Sequence, residues 1–480
     1  MSVKERKHNC WSTCPECQGQ GKRRRKLRKK ARLQYQKELS LYTASNSIGK
    51  APVRPLGHLY TCPHCAGSGL ISSKAHPIPD TENFPHVSII GAGIGGVALA
   101  VACLHRGIPF TLYERDKSFE ERSQGYGLTL QQASKAIEGF GLFSLEGSIV
   151  SKRHIVHTTD GKVIGEWGMK KWLNSDESNA PKRTNIHIAR QTLRKSLIEL
   201  LDHKNTIKWN HQLTDIKQGK DTYLNFKINN EIKQIKADLI VGADGIRSVT
   251  RRLLLGEENT PLRYLACIVI LGICDLSELK SIDSPLLDSE TVFQTANGTE
   301  RIYVMPYSPG KIMWQLSFPM SEQDAKALSL AGPKALKEEA VRRTQWHTPI
   351  PQLIAATTER KISGYPVYDR AILSPESLQK GNNITLIGDA AHPMSPFKGQ
   401  GANQALLDAL SLARIIKKEC RPLSNWKEKN IRASVLNSFE EEMLRRSAIK
   451  VKDSAEAAQF LHSQIVLHKG DEPRGRCLKS

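Results

Sequence analysis

Two segments of this 480-residue chain repeat one pattern, Cys-x-x-Cys-x-Gly-x-Gly: Cys14 and Cys17 precede Gly19 and Gly21, and Cys62 and Cys65 precede Gly67 and Gly69. Two thiolates three positions apart on a tight turn can share one tetrahedral ion, and the glycines free backbone amides to reach sulfur. Cys14, Cys17, Cys62 and Cys65 are therefore the expected ligands of a structural Zn2+, with Cys10, His8, His58 and His64 as spare donors. The same spacing also suits redox-active thiol pairs. A different chemistry starts at residue 87, where a strand-like run leads into Gly91, Gly93, Gly95 and Gly96. In such a turn Gly91 permits the sharp bend, Gly93 lets a pyrophosphate approach the backbone, and Gly96 allows a helix to pack closely on the strand. Glu114 follows 18 residues after Gly96, at the end of a second strand, where its carboxylate can accept hydrogen bonds from an adenosine ribose. Glycines alone do not separate FAD from NAD.

Two later segments add carboxylates. Residues 237–242 read as a buried strand leading to Asp244, Gly245 and Arg247. Residues 384–387 read as another, leading to Asp389 and His392, then to Pro396, Gly399, Gly401, Ala402 and Asn403 at the start of a helix. His392 has the chemistry of a general base, but its place inside this turn favours a role in fixing the turn.

These turns need strands to lead into them and helices to leave from them. From residue 87 onward, strand patterns alternate with helical ones, which predicts a parallel sheet wound with helices. Between about residues 263 and 320 the chain changes to short apolar runs joined by turn residues such as Asn297, Gly298 and Gly310, the signature of an antiparallel sheet. From residue 402 to about 463 the apolar spacing is helical, and three prolines between residues 75 and 85 read as a linker. The predicted organisation is a basic zinc-ribbon-like module (1–73), a linker (74–86), an FAD-binding domain in two parts (87–262 and 376–424), a substrate domain (263–375) and a C-terminal helix and tail (425–480). The fold class is α/β, with a Rossmann-like domain beside an antiparallel sheet.

The hydrophobic fraction of 39% and the charged fraction of 25% fit a globular chain of two or three domains. No run of about 18 apolar residues offers a membrane span, and the charged, cysteine-bearing start does not read as a signal peptide, so a cytoplasmic location is expected. Of the net charge of +22, half falls in residues 1–86, where 16 Lys and Arg face 5 Asp and Glu. Nine of the eleven residues from 22 to 32 are basic, which suits a solvated arm or a surface for nucleic acid or an acidic protein, although the aromatic residues of a base-stacking platform are missing.

Taken together, residues 87–463 resemble the group A flavoprotein monooxygenases, relatives of para-hydroxybenzoate hydroxylase and the tetracycline-inactivating monooxygenases. The resemblance implies that Asp389 binds the ribityl chain of FAD and that the helix after Gly401 directs its amino end at the flavin ring. It places Arg190, at a helix start, and Gln131, in the loop that begins at Gly127, beside the cofactor, with Arg115 as a further cation and Pro396 near the flavin face. Arg301 lies where the tetracycline-inactivating relatives carry a substrate-binding arginine, but the strand before it lacks their polar partner. The implied reaction is hydroxylation of a small aromatic or polycyclic compound by way of a flavin hydroperoxide, with NAD(P)H and dioxygen as co-substrates. The competing expectations are an FAD-dependent reductase or dehydrogenase, and a nucleic-acid-associated flavoprotein that docks through its basic ribbon.

Overall fold

The computed structural model describes residues 10–47, 49–121, 125–169, 185–201 and 206–474; His8 lies outside them. At the N-terminus the two cysteine knuckles are exchanged halves of one ribbon. Strand Cys10–Thr13, before the first knuckle, pairs antiparallel with Leu70–Ser73, after the second. Lys22–Arg24, after the first, pairs with Leu59–Thr61, before the second. The Cys14 amide donates to the Gly69 carbonyl at 2.9 Å and the Cys62 amide to the Gly21 carbonyl at 3.0 Å, so the halves close on each other in the same way. Helix α1 (Lys29–Ala44) leaves the ribbon with no buried side chain.

The proline-rich stretch that follows is docked rather than free. The Asp80 amide donates to the Gly107 carbonyl, Trp426 Nε1 donates to the Asn83 carbonyl at 2.8 Å, and Phe84 is buried. These bonds lay residues 80–84 along the domain that begins at Val87.

That domain is built on a five-stranded parallel sheet in the order Ile207–Lys208, Phe110–Tyr113, Val87–Ile90, Leu239–Gly242, Ile384–Leu386. Strands buried on both faces are near-continuously apolar, and Val87–Ile90, Leu239–Gly242 and Ile384–Leu386 are buried at every position, with Ser88 and Thr385 the polar members. Helices α2 (Ile94–Leu104), α3 (Arg190–Glu199), α4 (Gly401–Glu419) and α5 (Asn437–Phe460) surround the sheet, and α2 and α4 contribute most of their apolar residues to its core. A three-stranded meander, Gln212–Gln218, Thr222–Ile228 and Glu231–Ala237, precedes the fourth strand.

The second sheet has seven strands in the order Val163–Trp167, Arg153–His157, Thr291–Ala296, Arg301–Ser308, Lys311–Pro319, Leu262–Asp275, Ile362–Arg370. Its pairings are antiparallel except between Arg153–His157 and Thr291–Ala296. The antiparallel texture expected over residues 263–320 is thus the centre of a larger sheet that recruits two strands from upstream, inside the segment expected to belong wholly to the FAD-binding domain. Arg153–His157 pairs with Thr291–Ala296, and Val163–Trp167 pairs with Arg153–His157 in turn. One face of this sheet is covered by Glu322–Arg343 and Ile350–Ala356 around a core that includes Trp314, Phe293 and Phe318.

Helices α4 and α5 are tied to the turn after Ile384–Leu386 by a buried ionic network. Asp408 on α4 accepts the Gly388 amide at 2.9 Å and His392 Nε2 at 2.7 Å through one oxygen, and Arg446 of α5 at 2.8 Å through the other. Burial opposes ionisation of Asp408, yet His392 and Arg446 outweigh it and hold its carboxyl below the usual aspartate range. The stability this group supplies is therefore present above its unfolded value of about 3.9 and lost as pH falls through the lower folded value. Asp408→Ala, which leaves the Gly388 amide and His392 without their acceptor while half-buried Arg446 keeps Glu442 and Gln404, is expected to lower the unfolding free energy by about 1–3 kcal/mol, read as an earlier midpoint in urea; an unchanged midpoint would show the network to be dispensable.

Candidate functional site

At the carboxyl ends of the parallel strands three turns converge, and the Gly91 turn sets their spacing. Gly91 has φ +99°, and a Cβ there would lie 2.7 Å from the Ala243 carbonyl oxygen. A Cβ on Gly96 would lie 1.9 Å from the Gly91 carbonyl oxygen, so neither position accepts a side chain without moving backbone. The peptide between them is fixed from both sides: the Ala92 amide donates to Glu114 Oε2 at 2.7 Å, and the Ala92 carbonyl accepts Arg194 Nε of α3 at 2.7 Å. Glu114, at the end of the second strand, also accepts the Asp116 amide, and it stays buried at the lip of a cleft.

That cleft has a volume of about 160 Å³, is open to solvent, and is lined by Gly91, Gly93, Gly95, Glu114, Arg115, Arg190, Asp244, Asp389, Gly401 and Ala402. Arg115 has a largely exposed side chain, whereas the Arg190 guanidinium sits 5.9 Å from the centre of the Tyr126 ring. Asp244 spends its carboxylate within its own turn, accepting from Ser248, from the Thr250 amide at 2.9 Å and from the Thr250 hydroxyl at 3.0 Å. Burial raises its pKa.

Asp389 is different. Burial raises its pKa too, and its carboxylate accepts no hydrogen bond from the described residues although it faces the cleft beside Gly401. The carboxylate is half-buried, reached by solvent from the cleft, and so stays available to a ligand donor. The turn that carries it is held from behind, by Asp408 on the Gly388 amide and by buried Arg251, which donates to the Ala390 and Ala391 carbonyls at 3.0 and 2.8 Å. His392 serves this same frame through its bond to Asp408, in keeping with a turn-fixing role.

Gln131, Pro396, Gly399 and Asn403 lie beside the cleft rather than on its wall. Asn403 is fully buried and uses its whole amide on backbone: it accepts from the Gln131 and Ala133 amides at 2.9 and 3.0 Å and donates to the Thr129 and Gly399 carbonyls at 2.9 and 2.8 Å. The Gln131 side chain accepts from Gln400 at 2.6 Å, and Pro396 opens the short turn Pro396–Lys398. These bonds aim the amino end of α4 into the cleft, where its unpaired amides favour negative charge. Motif reading missed Tyr126, His211 and Leu213 on the wall and Arg194 and Arg251 behind it. The last two read in sequence as ordinary polar helix positions.

Arg301 stands apart, on the seven-stranded sheet. Side chains alternate along a strand, and Arg301, Tyr303, Met305 and Tyr307 share the face opposite Ile302 and Val304. Met305 and Tyr307 of that set reach the segment at Gly125 and Gly127, with the Tyr307 hydroxyl donating to the Gly125 carbonyl at 3.1 Å. The buried Arg301 guanidinium donates to Gln294 at 2.7 Å, lies 4.9 Å from the Tyr303 ring centre and pairs with no carboxylate among the described residues. Val269, Tyr365, Val367 and Phe397 form an apolar wall between this sheet and the Pro396 turn.

In the ribbon the four sulfurs of Cys14, Cys17, Cys62 and Cys65 lie within 4.8 Å of one another, with 4.0 Å between Cys14 and Cys62 and 3.7 Å between Cys17 and Cys65. Sulfurs about 2.3 Å from a tetrahedral zinc are about 3.8 Å apart, whereas a disulfide holds them at about 2.05 Å. The Gly21 and Gly69 amides each donate to a sulfur, Cys17 and Cys65 respectively, at 3.2 Å. Cys10, His58 and His64 are not part of the cluster.

Comparison with known proteins agrees with the cleft. Residues 85–425 match a family model described as an FAD binding domain, and the ribbon precedes the match. The chain is 29% identical to an aurachin C monooxygenase/isomerase of Stigmatella aurantiaca over 74% of this chain and 86% of that protein. It is 26% identical to the 3-amino-4-hydroxybenzoate 2-monooxygenase PtmB3 of Streptomyces platensis over 70% and 80% respectively. Its fold matches that of Klebsiella pneumoniae HpxO complexed with FAD and uric acid, with TM-score 0.64 at 19% identity over 79% of this chain and 89% of the other. With a glycine turn, an open carboxylate and a helix amino end meeting in one cleft, and with 341 consecutive residues inside the family match, the chain belongs to this FAD-binding family and is an oxidoreductase of the FAD-dependent monooxygenase type.

Proposed function

We propose that the protein uses NAD(P)H and dioxygen to hydroxylate a small aromatic or polycyclic compound beside an FAD held in the cleft. The observation that carries this reading is Asp389: a half-buried carboxylate without a donor among the described residues, set on the cleft wall where the glycine turn and the amino end of α4 meet. In this reading the turn at Gly91, Gly93, Gly95 and Gly96 receives the pyrophosphate, Glu114 the ribose, and Asp389 the ribityl hydroxyls, with Arg115 and Arg190 as cations near the phosphates. Asp244, Gln131, Gly399 and Asn403 act by holding the turns in place, since their polar atoms are spent on the protein. FAD supplies the redox chemistry, and the chain supplies binding, orientation and exclusion of water.

The substrate belongs between the flavin side of the cleft and the seven-stranded sheet. Support comes from the apolar wall of Val269, Tyr365, Val367 and Phe397, which suits a flat ring, and from Arg301 on the face turned toward that space. A buried guanidinium without a carboxylate is stabilised by an anionic oxygen, so Arg301 is the group to hold a carboxylate or phenolate of the substrate. The relative acting on 3-amino-4-hydroxybenzoate and the HpxO structure with uric acid both concern ring compounds bearing acidic groups. In the ribbon, the distances between sulfurs and the amides aimed at them support one structural zinc.

The purified protein should be yellow, and NAD(P)H should bleach it with recovery in air; a colourless protein indifferent to FAD would sink the reading. Loss of a hydrogen bond to a charged acceptor is worth about 1.5–3 kcal/mol, so Asp389→Ala should weaken FAD binding about 10- to 150-fold in a fluorescence titration. Wild-type affinity in that variant would remove Asp389 from the site. Arg301→Met should keep FAD but raise KM for an acidic aromatic substrate in stimulated NAD(P)H oxidation, and an unchanged KM would place the substrate elsewhere. Metal analysis should return about one zinc per chain, lost when Cys14→Ala and Cys62→Ala are combined.

A further inference from the structure

Two arginines, Arg106 fully buried and Arg414 half-buried, lie between the ribbon and the FAD-binding domain without a carboxylate among the described residues. Arg106, just after α2, donates to the Ala102 carbonyl at 3.0 Å and to the Gly19 carbonyl of the first knuckle at 3.4 Å. Arg414, on α4, donates to the Gly67 and Ser68 carbonyls of the second knuckle at 3.2 and 3.0 Å, while its own carbonyl accepts Gln20 at 2.8 Å. Each Nε is buried with no hydrogen-bond partner, and no described carboxylate pairs with either guanidinium. The Arg414 guanidinium lies against Gly21, where a Cβ would come within 2.8 Å of it, and the Gly21 amide donates to Cys17 Sγ. Two guanidinium charges side by side, one fully and one partly withdrawn from water, are unfavourable unless an anion is near.

The nearby groups that can supply that charge are the four thiols. A divalent ion bound by four thiolates carries a net charge of −2, which offsets two guanidinium charges of +1. We propose, resting on the reading of the ribbon as a metal site, that this metal–tetrathiolate centre is the counter-anion for Arg106 and Arg414, so that metal occupancy clamps the ribbon onto α2 and α4 and thereby sets how tightly FAD is held. Both helices reach the flavin cleft with their opposite ends: Ile94 of α2 and Gly401 of α4 line it, and Arg414 is thirteen residues, about 20 Å, along α4 from Gly401. The contact extends to apolar groups. Trp11 of the ribbon packs 4.6 Å from Phe143 and against Gly141, leaving the clamp a packed interface rather than a tether.

The test uses the full-length FAD-loaded protein. A competing chelator should remove zinc, and as zinc leaves, the Kd for FAD, read from flavin in an ultrafiltrate, should rise about 10-fold or more and return on adding zinc back. Circular dichroism checks that the fold persists in the metal-free state. Replacing both arginines, Arg106→Met with Arg414→Met, should lower zinc affinity about 10- to 100-fold, whereas the Arg→Lys pair, which keeps the charge, should retain most of it. Zinc bound normally by the Met pair, or lost equally by Met and Lys pairs, would overturn the charge pairing. Unchanged FAD affinity in zinc-free protein would overturn the clamp while leaving the metal site intact. A purified protein holding no metal, with Cys17→Ser behaving as wild type, would instead refute the metal reading itself and this inference with it.

Discussion

The structure depends on bringing three backbone turns into contact at the ends of parallel strands without filling the space between them. Gly91 and Ala243 approach so closely that a Cβ has no room, and Gly96 folds back onto Gly91. This leaves a cleft in which the three turns meet among apolar and charged side chains. Each turn is braced from behind: Ala92 by Glu114 and Arg194, the Asp389 turn by Asp408 and Arg251, and the Gly399 turn by Asn403.

The bracing groups are polar and buried, which is tolerable only because each is paired. Asp408 serves two helices and a turn amide with two oxygens, and Asn403 satisfies all four of its hydrogen-bonding sites with backbone. Asp389 departs from that pattern, its half-buried carboxylate accepting from no donor among the described residues. On the sheet side buried Arg301 donates to Gln294 and pairs with no carboxylate among the described residues.

The ribbon belongs to this arrangement more closely than a tethered module would. Its knuckle carbonyls receive arginines from the far ends of the two helices that open onto the cleft, and residues 80–84 are docked along the same domain. The basic residues of strand Lys22–Arg24 and of α1 point away, exposed. The charge visible in the composition and the charge engaged in packing are therefore different sets of arginines.

Sequence by itself determined what depends on neighbours along the chain. The glycine turn, Glu114 at the end of the next strand, Asp389 after an apolar run and the two cysteine knuckles are local patterns, since backbone conformation and chelate geometry are fixed within a few residues. Only the tertiary structure decided which carboxylates remained open: Asp244 and Asp389 look alike in sequence, yet the first is spent on Ser248 and Thr250. It also decided that Arg153–His157 and Val163–Trp167 join the second sheet, and that buried Arg106 and Arg251 and half-buried Arg414 are struts rather than solvated surface. Their partners are main-chain carbonyls, which carry no sequence signal, often a hundred or more residues away, so the pairing exists only once the domains have closed.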